Sequence, residues 1–188
     1  MSKKSYTGYL CAANPKNPKD DLERTVMMIV THTDTVAIGL QINMPHVDLT
    51  LSRVSENIGI DHYGDQPIYI GGNIQPHKIH VIHSLDWQGM TTVQLTDDIG
   101  ITNDISVLTA LSRGEGPEFY RACAGYRLWE DGMFDSQIDP KRSSQISAHK
   151  WELIPATMDN TFGLDPTYQW QTVLEESARY AVKSWFDY

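Results

Sequence analysis

Three histidines recur at every third position, at His77, His80 and His83. On a helix this spacing would place three imidazoles on one side, an arrangement that suits a zinc site. The segment 78–83 instead predicts a strand, in which His80 and His83 point to opposite faces of a sheet. A metal would then need ligands from elsewhere, so we predict no metal site and interpret His83 as a half-buried, hydrogen-bonded residue.

Two further features could contact a ligand. Gly71 and Gly72 end an apolar strand, where backbone N–H groups could approach an anion, although a tight turn with positive φ explains the pair as well. Asn43 precedes Met44-Pro45, and its side chain could bridge backbone groups at a strand end or contact a ligand. The candidate ligand-binding residues are therefore Asn43, Gly71, Gly72 and His83.

The nucleophiles and carboxylates do not combine into a connected catalytic set. Ser84 adjoins His83, but neighbours on a strand point apart, and no strained nucleophile turn is present. Asp97, Asp98 and Asp104 miss the spacing of a calcium loop and are better explained as turn acids and a helix cap. We therefore predict no catalytic residues and no cofactor.

The distribution of charge disfavours nucleic acid as a partner. The 188 residues include 24 Asp and Glu against 15 Lys and Arg, which gives a formal net charge of −9. Between Arg53 and Arg113 the only basic residue is Lys78. Seven acids share that stretch: Glu56, Asp61, Asp65, Asp86, Asp97, Asp98 and Asp104. Because nucleic-acid binders usually present a basic face, we do not expect direct binding.

Apolar segments are too short for a membrane protein. The longest strongly apolar run, 26–30, is far below the roughly 20 residues that cross a bilayer, and polar residues at 5–9 interrupt any signal-peptide core. Cys11 and Cys123 lack a Cys-x-x-Cys spacing and are interpreted as reduced, buried thiols. We predict a cytoplasmic protein without membrane association.

Periodicity predicts many short strands and few helices. Strands are predicted at 7–13, 26–32, 36–43, 68–70, 78–83, 91–95, 119–128 and 151–154. Helical segments are predicted at 20–24, at 49–58 between an Asp48 cap and a Gly59 stop, from Asn103 or Asp104 to Gly114, at 131–138, and from Thr167 onward. The polar segment 139–147 is predicted to be an exposed loop.

This order of elements predicts an α+β fold. We expect one domain over residues 1–188, with a twisted, mixed and largely antiparallel β-sheet flanked by a few helices. Trp129, Trp151 and Trp170 are interpreted as core aromatics. The remaining predicted core consists of Val26, Ile29, Ile38, Leu40, Ile42, Ile68, Ile70 and Val81.

Four segments, in order, resemble the AlgH/YqgE family of small bacterial proteins. They are Arg24-Thr25-Val26 followed by 36–45; Pro67-Ile68-Tyr69-Ile70-Gly71-Gly72 followed by Ile82-His83-Ser84; Gly125-Tyr126 through Trp129 and Gly132 to Ile138; and Trp151 with Pro155-Ala156 and then Trp170. The chain departs from the family pattern at Val36, at Asn73, at Gln137 in place of a carboxylate, and in extra residues at 139–148. The resemblance implies a divergent member with a single α+β domain, a cytoplasmic setting and a label as a transcriptional regulator.

The resulting hypothesis is a non-enzymatic binding or regulatory protein that acts without direct DNA binding. Its partner would be a protein, a small molecule or a second copy of the chain. One alternative is a hydrolase-like enzyme with a pocket that joins His83, Asn43 and the Gly71-Gly72 pair. A second alternative is a regulator that binds DNA directly.

Overall fold

Strands make up most of the regular structure in residues 4–16, 22–60, 65–139 and 150–186, which the computed structural model describes. The strands are β1 Tyr9–Ala13, β2 Val26–His32, β3 Val36–Gln41, β4 Pro45–Thr50, β5 Pro67–Ile70, β6 Ile74–Ser84, β7 Val93–Gln94, β8 Ile99–Thr102, β9 Tyr120–Glu130 and β10 Trp151–Pro155. The helices are α1 Leu51–Asn57, α2 Ile105–Ser112, α3 Met133–Ile138, α4 Met158–Phe162 and α5 Pro166–Phe186. The Asp20 cap and nearly all of the loop at 139–147 lie outside the described residues.

A single mixed sheet organises these elements. Eight strands follow the order β10-β1-β2-β3-β9-β6-β8-β7, and β4 and β5 join them through β9. The β5–β9 pair is parallel, and every other pair of neighbouring strands is antiparallel. The predicted α+β fold with a largely antiparallel sheet is therefore confirmed.

Two short strands were not predicted, although apolar residues alternate with other residues in both. The side chains of β4 are mostly exposed, and backbone pairing with β5 holds this strand in place. Glycine interrupts the short strand β8, which pairs with β6. Because β4 occupies residues 45–50, Thr50 rather than Asp48 is the N-cap residue of α1. The predicted strand at 91–95 shrinks to Val93–Gln94.

The last helix covers one face of the sheet. It begins at Pro166, where the Asp165 carboxylate accepts a hydrogen bond of 2.8 Å from the Thr167 N–H. Its inner side chains Trp170, Val173 and Leu174 pack on a cluster that includes Met28. Among the described helices, none is long and apolar enough to cross a bilayer.

The predicted core is largely confirmed. Val26, Ile29, Leu40, Ile42, Ile68 and Val81 are buried. Ile38 is only partly buried because it lines an open cavity, and Ile70 is 40% exposed at the end of β5. The assignment of Ile70 to the core was wrong: it shares a face with the buried Ile68, but it is the last residue of β5 and its side chain is left partly uncovered.

Gln137 joins two of the core tryptophans. Its side-chain Oε1 atom accepts hydrogen bonds from the indole N–H groups of Trp129, at 3.1 Å, and Trp151, at 2.8 Å. Trp129 and Trp151 are both almost completely buried, as predicted. An amide oxygen accepts these two hydrogen bonds as a carboxylate oxygen could, so the departure at Gln137 preserves the acceptor.

Candidate functional site

His83 has no polar atom free for a ligand. The residue is completely buried, not half-buried as predicted, and its ring packs edge-on against Trp87. Its Nδ1 atom lies 2.8 Å from the Ser84 carbonyl oxygen, and its Nε2 atom lies 2.9 Å from the Thr102 hydroxyl. Because a carbonyl can only accept, Nδ1 carries the proton and Nε2 accepts from Thr102. Burial lowers the pKa of His83, which favours this neutral form.

The same logic orients a chain of hydroxyl groups. If Thr102 donates to His83, it accepts from Thr92, whose hydroxyl lies 2.7 Å away. The Thr92 hydroxyl in turn accepts from the Gly89 N–H at 2.8 Å. Each donor in this chain has one acceptor, so the network fixes the loop before β7 against the sheet.

The Asn43 side chain is also fully used by the backbone. Its Oδ1 atom accepts from the Val26 N–H and its Nδ2 atom donates to the Arg24 carbonyl, both at 2.8 Å. These bonds fasten the end of β3 to the start of β2. Of the two interpretations left open for Asn43, the geometry favours the backbone bridge.

Gly71 and Gly72 are glycines for a reason other than the one predicted. Positive φ angles occur at Gly125 and at other glycines of the described chain, but not at this pair. A Cβ on Gly71 would lie 2.2 Å from the Gly125 carbonyl oxygen, and one on Gly72 would lie 2.2 Å from the Tyr126 carbonyl carbon. The prediction of positive φ was therefore wrong, and close approach of β9 is what excludes a side chain.

Three cavities formed by described residues are each lined by side chains other than Asn43, Gly71, Gly72 and His83. The first, about 520 Å³, carries four exposed carboxylates: Asp86, Asp97, Asp98 and Glu118. The second, about 350 Å³, lies between α4 and α5. Exposed carboxylates are well hydrated, and neither cavity contains a buried polar atom in need of a partner.

The third cavity, which we call the sheet cavity, has the composition of a ligand site. It measures about 370 Å³. Its apolar lining consists of Val30, Ile38, Leu40, Val93 and Ile101. Its polar lining consists of Thr31, Gln75, Lys78, His80, Thr91, Asn103 and Tyr126. Small-molecule sites commonly combine apolar walls with a few polar groups at volumes of about 300–1,000 Å³.

Two β-bulges shape the sheet cavity. In β2 the register shifts between Ile29 and Thr31, so that Val30 is an extra residue and both Val30 and Thr31 line the cavity. In β6 the register shifts between Ile74 and Ile79, opposite Gly125 of β9. Bulges bend strands and redirect side chains, and they are common beside functional sites.

The second bulge holds a strained residue. Gln75 has a φ of 47° although it is not glycine, a conformation that costs roughly 1–2 kcal/mol. Gln75 lines the sheet cavity. Strained backbone of this kind persists where the surrounding structure enforces it and is concentrated at functional sites.

His80 supplies a buried polar atom without a partner. The residue is 8% exposed, and its Nε2 atom is buried with no hydrogen-bond partner among the described residues. Its ring packs edge-on against Tyr126, at 5.8 Å between ring centres. Burial, followed by the charge of Lys78, lowers the pKa of His80 to about 4, so the imidazole is neutral at pH 7. A ligand that hydrogen-bonds to Nε2 would remove the cost of an unsatisfied polar group.

The sequence pattern suggests only a metal-binding role for His80, and the prediction of a strand argues against that role. The expectation that His80 and His83 lie on opposite faces is confirmed, because His80 lines the sheet cavity whereas His83 contacts Trp87. Lys78 is the only basic residue between Arg53 and Arg113, and this feature of the sequence could have pointed to the site. The bulge in β2 has no clear mark in the sequence, since Val30 continues an ordinary apolar run.

The chain matches a family model described as AlgH-like over residues 10–179. A UPF0301 protein from Sphingopyxis alaskensis is 28% identical over 174 residues, which cover 92% of this chain and 89% of that protein. A UPF0301 protein from Methylococcus capsulatus is 28% identical over 173 residues, covering 91% of each chain. These similarities extend over nearly the whole length of this chain and of each relative.

Solved structures share the fold. The solution structure of the AlgH protein from Pseudomonas aeruginosa superposes with a TM-score of 0.70 and 25% identity, over 98% of this chain and 90% of that one. A crystal structure of a protein from Corynebacterium diphtheriae gives a TM-score of 0.68 and 16% identity, over 88% and 85% of the two chains. The latter similarity concerns the fold alone.

Proposed function

We propose, from the premise that this chain belongs to the AlgH-like family, that it is a non-enzymatic binding protein whose sheet cavity takes a small ligand. The observation that carries the proposal is the buried, unpartnered Nε2 atom of His80, a residue that lines this cavity. A regulatory role would follow if occupation of the cavity alters contacts with another protein. Two buried, unpaired cysteines fit the reducing cytoplasm as its setting.

The hydrolase-like alternative would need a nucleophile beside a free base. Near His83, the described residues provide no such pair. Both ring nitrogens of His83 are hydrogen-bonded. The Ser84 hydroxyl donates to the Asp86 carboxylate and accepts from the Phe119 N–H. Burial raises the pKa of the Cys123 thiol to about 12. These groups support structure, which favours binding over catalysis.

A cavity-filling substitution tests the binding proposal. We expect Ile38→Trp to fill the sheet cavity and to abolish the ligand-induced chemical-shift changes around it in an NMR screen of small-molecule fragments. Ile70→Trp is the matched control, since Ile70 is exposed and lies outside the cavity. The proposal falls if no fragment perturbs the wild-type cavity, or if Ile38→Trp leaves the perturbations unchanged.

We further propose that regulation proceeds without direct contact to duplex DNA. The net charge of −9 should repel the duplex and weaken non-specific binding. Lys4 stacks on Tyr6 and Tyr9, and the Arg24 guanidinium lies over Trp170, so these cations are engaged with aromatic rings. Phosphate contacts supply most of the affinity of DNA-binding proteins, and a cation that stacks on an aromatic ring must give up that contact to reach a phosphate.

Fluorescence-anisotropy titration against fragments of the native genome tests this claim. At about 150 mM salt we expect no sequence-dependent complex, whereas specific binders reach dissociation constants of about 10⁻⁸ M or lower. Weak binding that disappears with salt and ignores sequence agrees with the proposal. A sequence-dependent dissociation constant near 10⁻⁸ M would instead establish the DNA-binding alternative.

A further inference from the structure

We infer that the ligand of the sheet cavity is a small carboxylate with an apolar body, whose carboxylate group lies between Lys78 and His80. The inference rests on the proposed function and adds the chemical class of the ligand. Three independent features lead to it: the charge of the lining, the spacing of the two side chains on β6, and the apolar walls.

Charge selects an anion. Lys78 is the only charged residue in the lining, and it is the only basic residue between Arg53 and Arg113. Within the part of the chain that the structure describes, the cavity lining includes no carboxylate and none lies within ion-pair distance of Lys78. In a chain with a net charge of −9, this lining therefore carries a positive charge and no negative one, which favours an anionic group over a cationic one.

The geometry of β6 suits a carboxylate. Lys78 and His80 are two residues apart on β6 and both line the sheet cavity, with Cα atoms about 7 Å apart in extended backbone. The flexible Lys78 stem can bring its ammonium to one carboxylate oxygen. The neutral His80 ring, in the tautomer with a proton on Nε2, can donate to the other oxygen and so satisfy the buried atom. A single cation balances a monoanion, whereas a phosphate dianion would retain an unpaired charge beside apolar walls.

The rest of the cavity requires an apolar body. Ile38, Leu40 and Ile101 line it together with Tyr126. Leu40 belongs to the core cluster that includes Met28, and Ile101 and Tyr126 pack against that cluster. A bare inorganic anion would leave these side chains in contact with water. Burial of a hydrocarbon or aromatic group against them adds affinity in proportion to the apolar area covered.

Paired probes test this class directly. We expect sodium benzoate and sodium octanoate to shift the NMR resonances of cavity residues and to bind at least about tenfold more tightly than benzamide and octanamide, which have the same bodies without the charge. Inorganic phosphate should bind more weakly than either carboxylate. Calorimetric titration of the full chain gives the dissociation constants.

Two lysine variants assign the charge to its residue. Lys78→Gln should reduce the affinity for benzoate and octanoate by about tenfold, to the level of the amides. Lys16→Gln is the matched control, because Lys16 is exposed in a loop and lies outside the cavity. Both lysines are exposed, so neither substitution should change the melting temperature of the protein.

Each outcome separates the ligand class from the proposed function. Amides that bind in the cavity as tightly as carboxylates, or equal losses for Lys78→Gln and Lys16→Gln, would overturn the carboxylate class while the binding function stands. If phosphate binds as tightly as the carboxylates, the inference that the ligand has an apolar body is wrong. If neither these probes nor any fragment perturbs the cavity, the proposed function itself falls.

Discussion

Replacement of Arg121 by methionine is expected to lower the free energy of unfolding by about 3 kcal/mol or more. Arg121 lies on β9 and is only 5% exposed. Its guanidinium donates to the Ile42 carbonyl at 2.7 Å, to the Gln169 side chain at 2.7 Å and to the Leu164 carbonyl at 3.0 Å. Methionine fills a similar volume but leaves these buried acceptors unsatisfied.

Arg121 connects the sheet to the last helix. Gln169, which is completely buried, accepts from Arg121 and donates to the Asn160 carbonyl at 2.8 Å. One side chain therefore links the end of β3, the loop before α5 and the first turns of α5. Burial lowers the pKa of Arg121, and nearby groups that include the Asp165 carboxylate offset only part of this effect, since no carboxylate of the described residues lies within ion-pair distance. The carbonyl acceptors are therefore what makes the buried charge tolerable.

Urea unfolding followed by tryptophan fluorescence measures the effect of Arg121→Met. We expect the wild type to unfold in one transition, as a single domain does. Arg113→Met is the control, because Arg113 is exposed at the end of α2, and it should change stability by less than about 0.5 kcal/mol. An Arg121→Met variant within 1 kcal/mol of wild type would show that the acceptors find water instead.

The sequence predicted the fold well where burial is periodic. The strands β2 and β3 carry continuous or alternating apolar residues, so their positions and most of their core residues were predicted. The edge strand β4 is mostly exposed and held by backbone pairing, and backbone pairing does not appear in a residue pattern. Arg121 was not singled out, because its acceptors are carbonyls and a side chain distant in sequence.

The candidate site was predicted less well, for a related reason. Asn43 and His83 were chosen by residue type, but their polar atoms serve the backbone and a threonine. The sheet cavity depends on two bulges, and a bulge is a property of paired strands. Two residues at the second bulge could have marked its position: Gly125, because glycine tolerates positive φ, and Pro76, because proline within a strand indicates an edge or a bulge.

Alanine at Gly71 or Gly72 is expected to lower the free energy of unfolding by at least about 3 kcal/mol. The Gly71 N–H donates to the Ala124 carbonyl at 2.9 Å, and the Gly71 carbonyl accepts from the Gln41 N–H at 2.8 Å. The new methyl group would lie 2.2 Å from backbone atoms of β9 in either variant. Backbone cannot rotate away as a side chain can, so these hydrogen bonds would have to break.

Gly59→Ala separates this mechanism from the one that the sequence suggested. Gly59 has a φ of 74° and open space around its Cβ position, so alanine there should cost only about 1 kcal/mol, the penalty of left-handed backbone. If positive φ were the reason for glycine at 71 and 72, all three variants would lose similar stability in urea. A markedly larger loss at 71 and 72 establishes close approach. Because Gly72 abuts the Tyr126 backbone and the Tyr126 ring lines the sheet cavity, any folded Gly72→Ala protein should also show altered Tyr126 resonances, which connects the glycine pair to the binding site it supports.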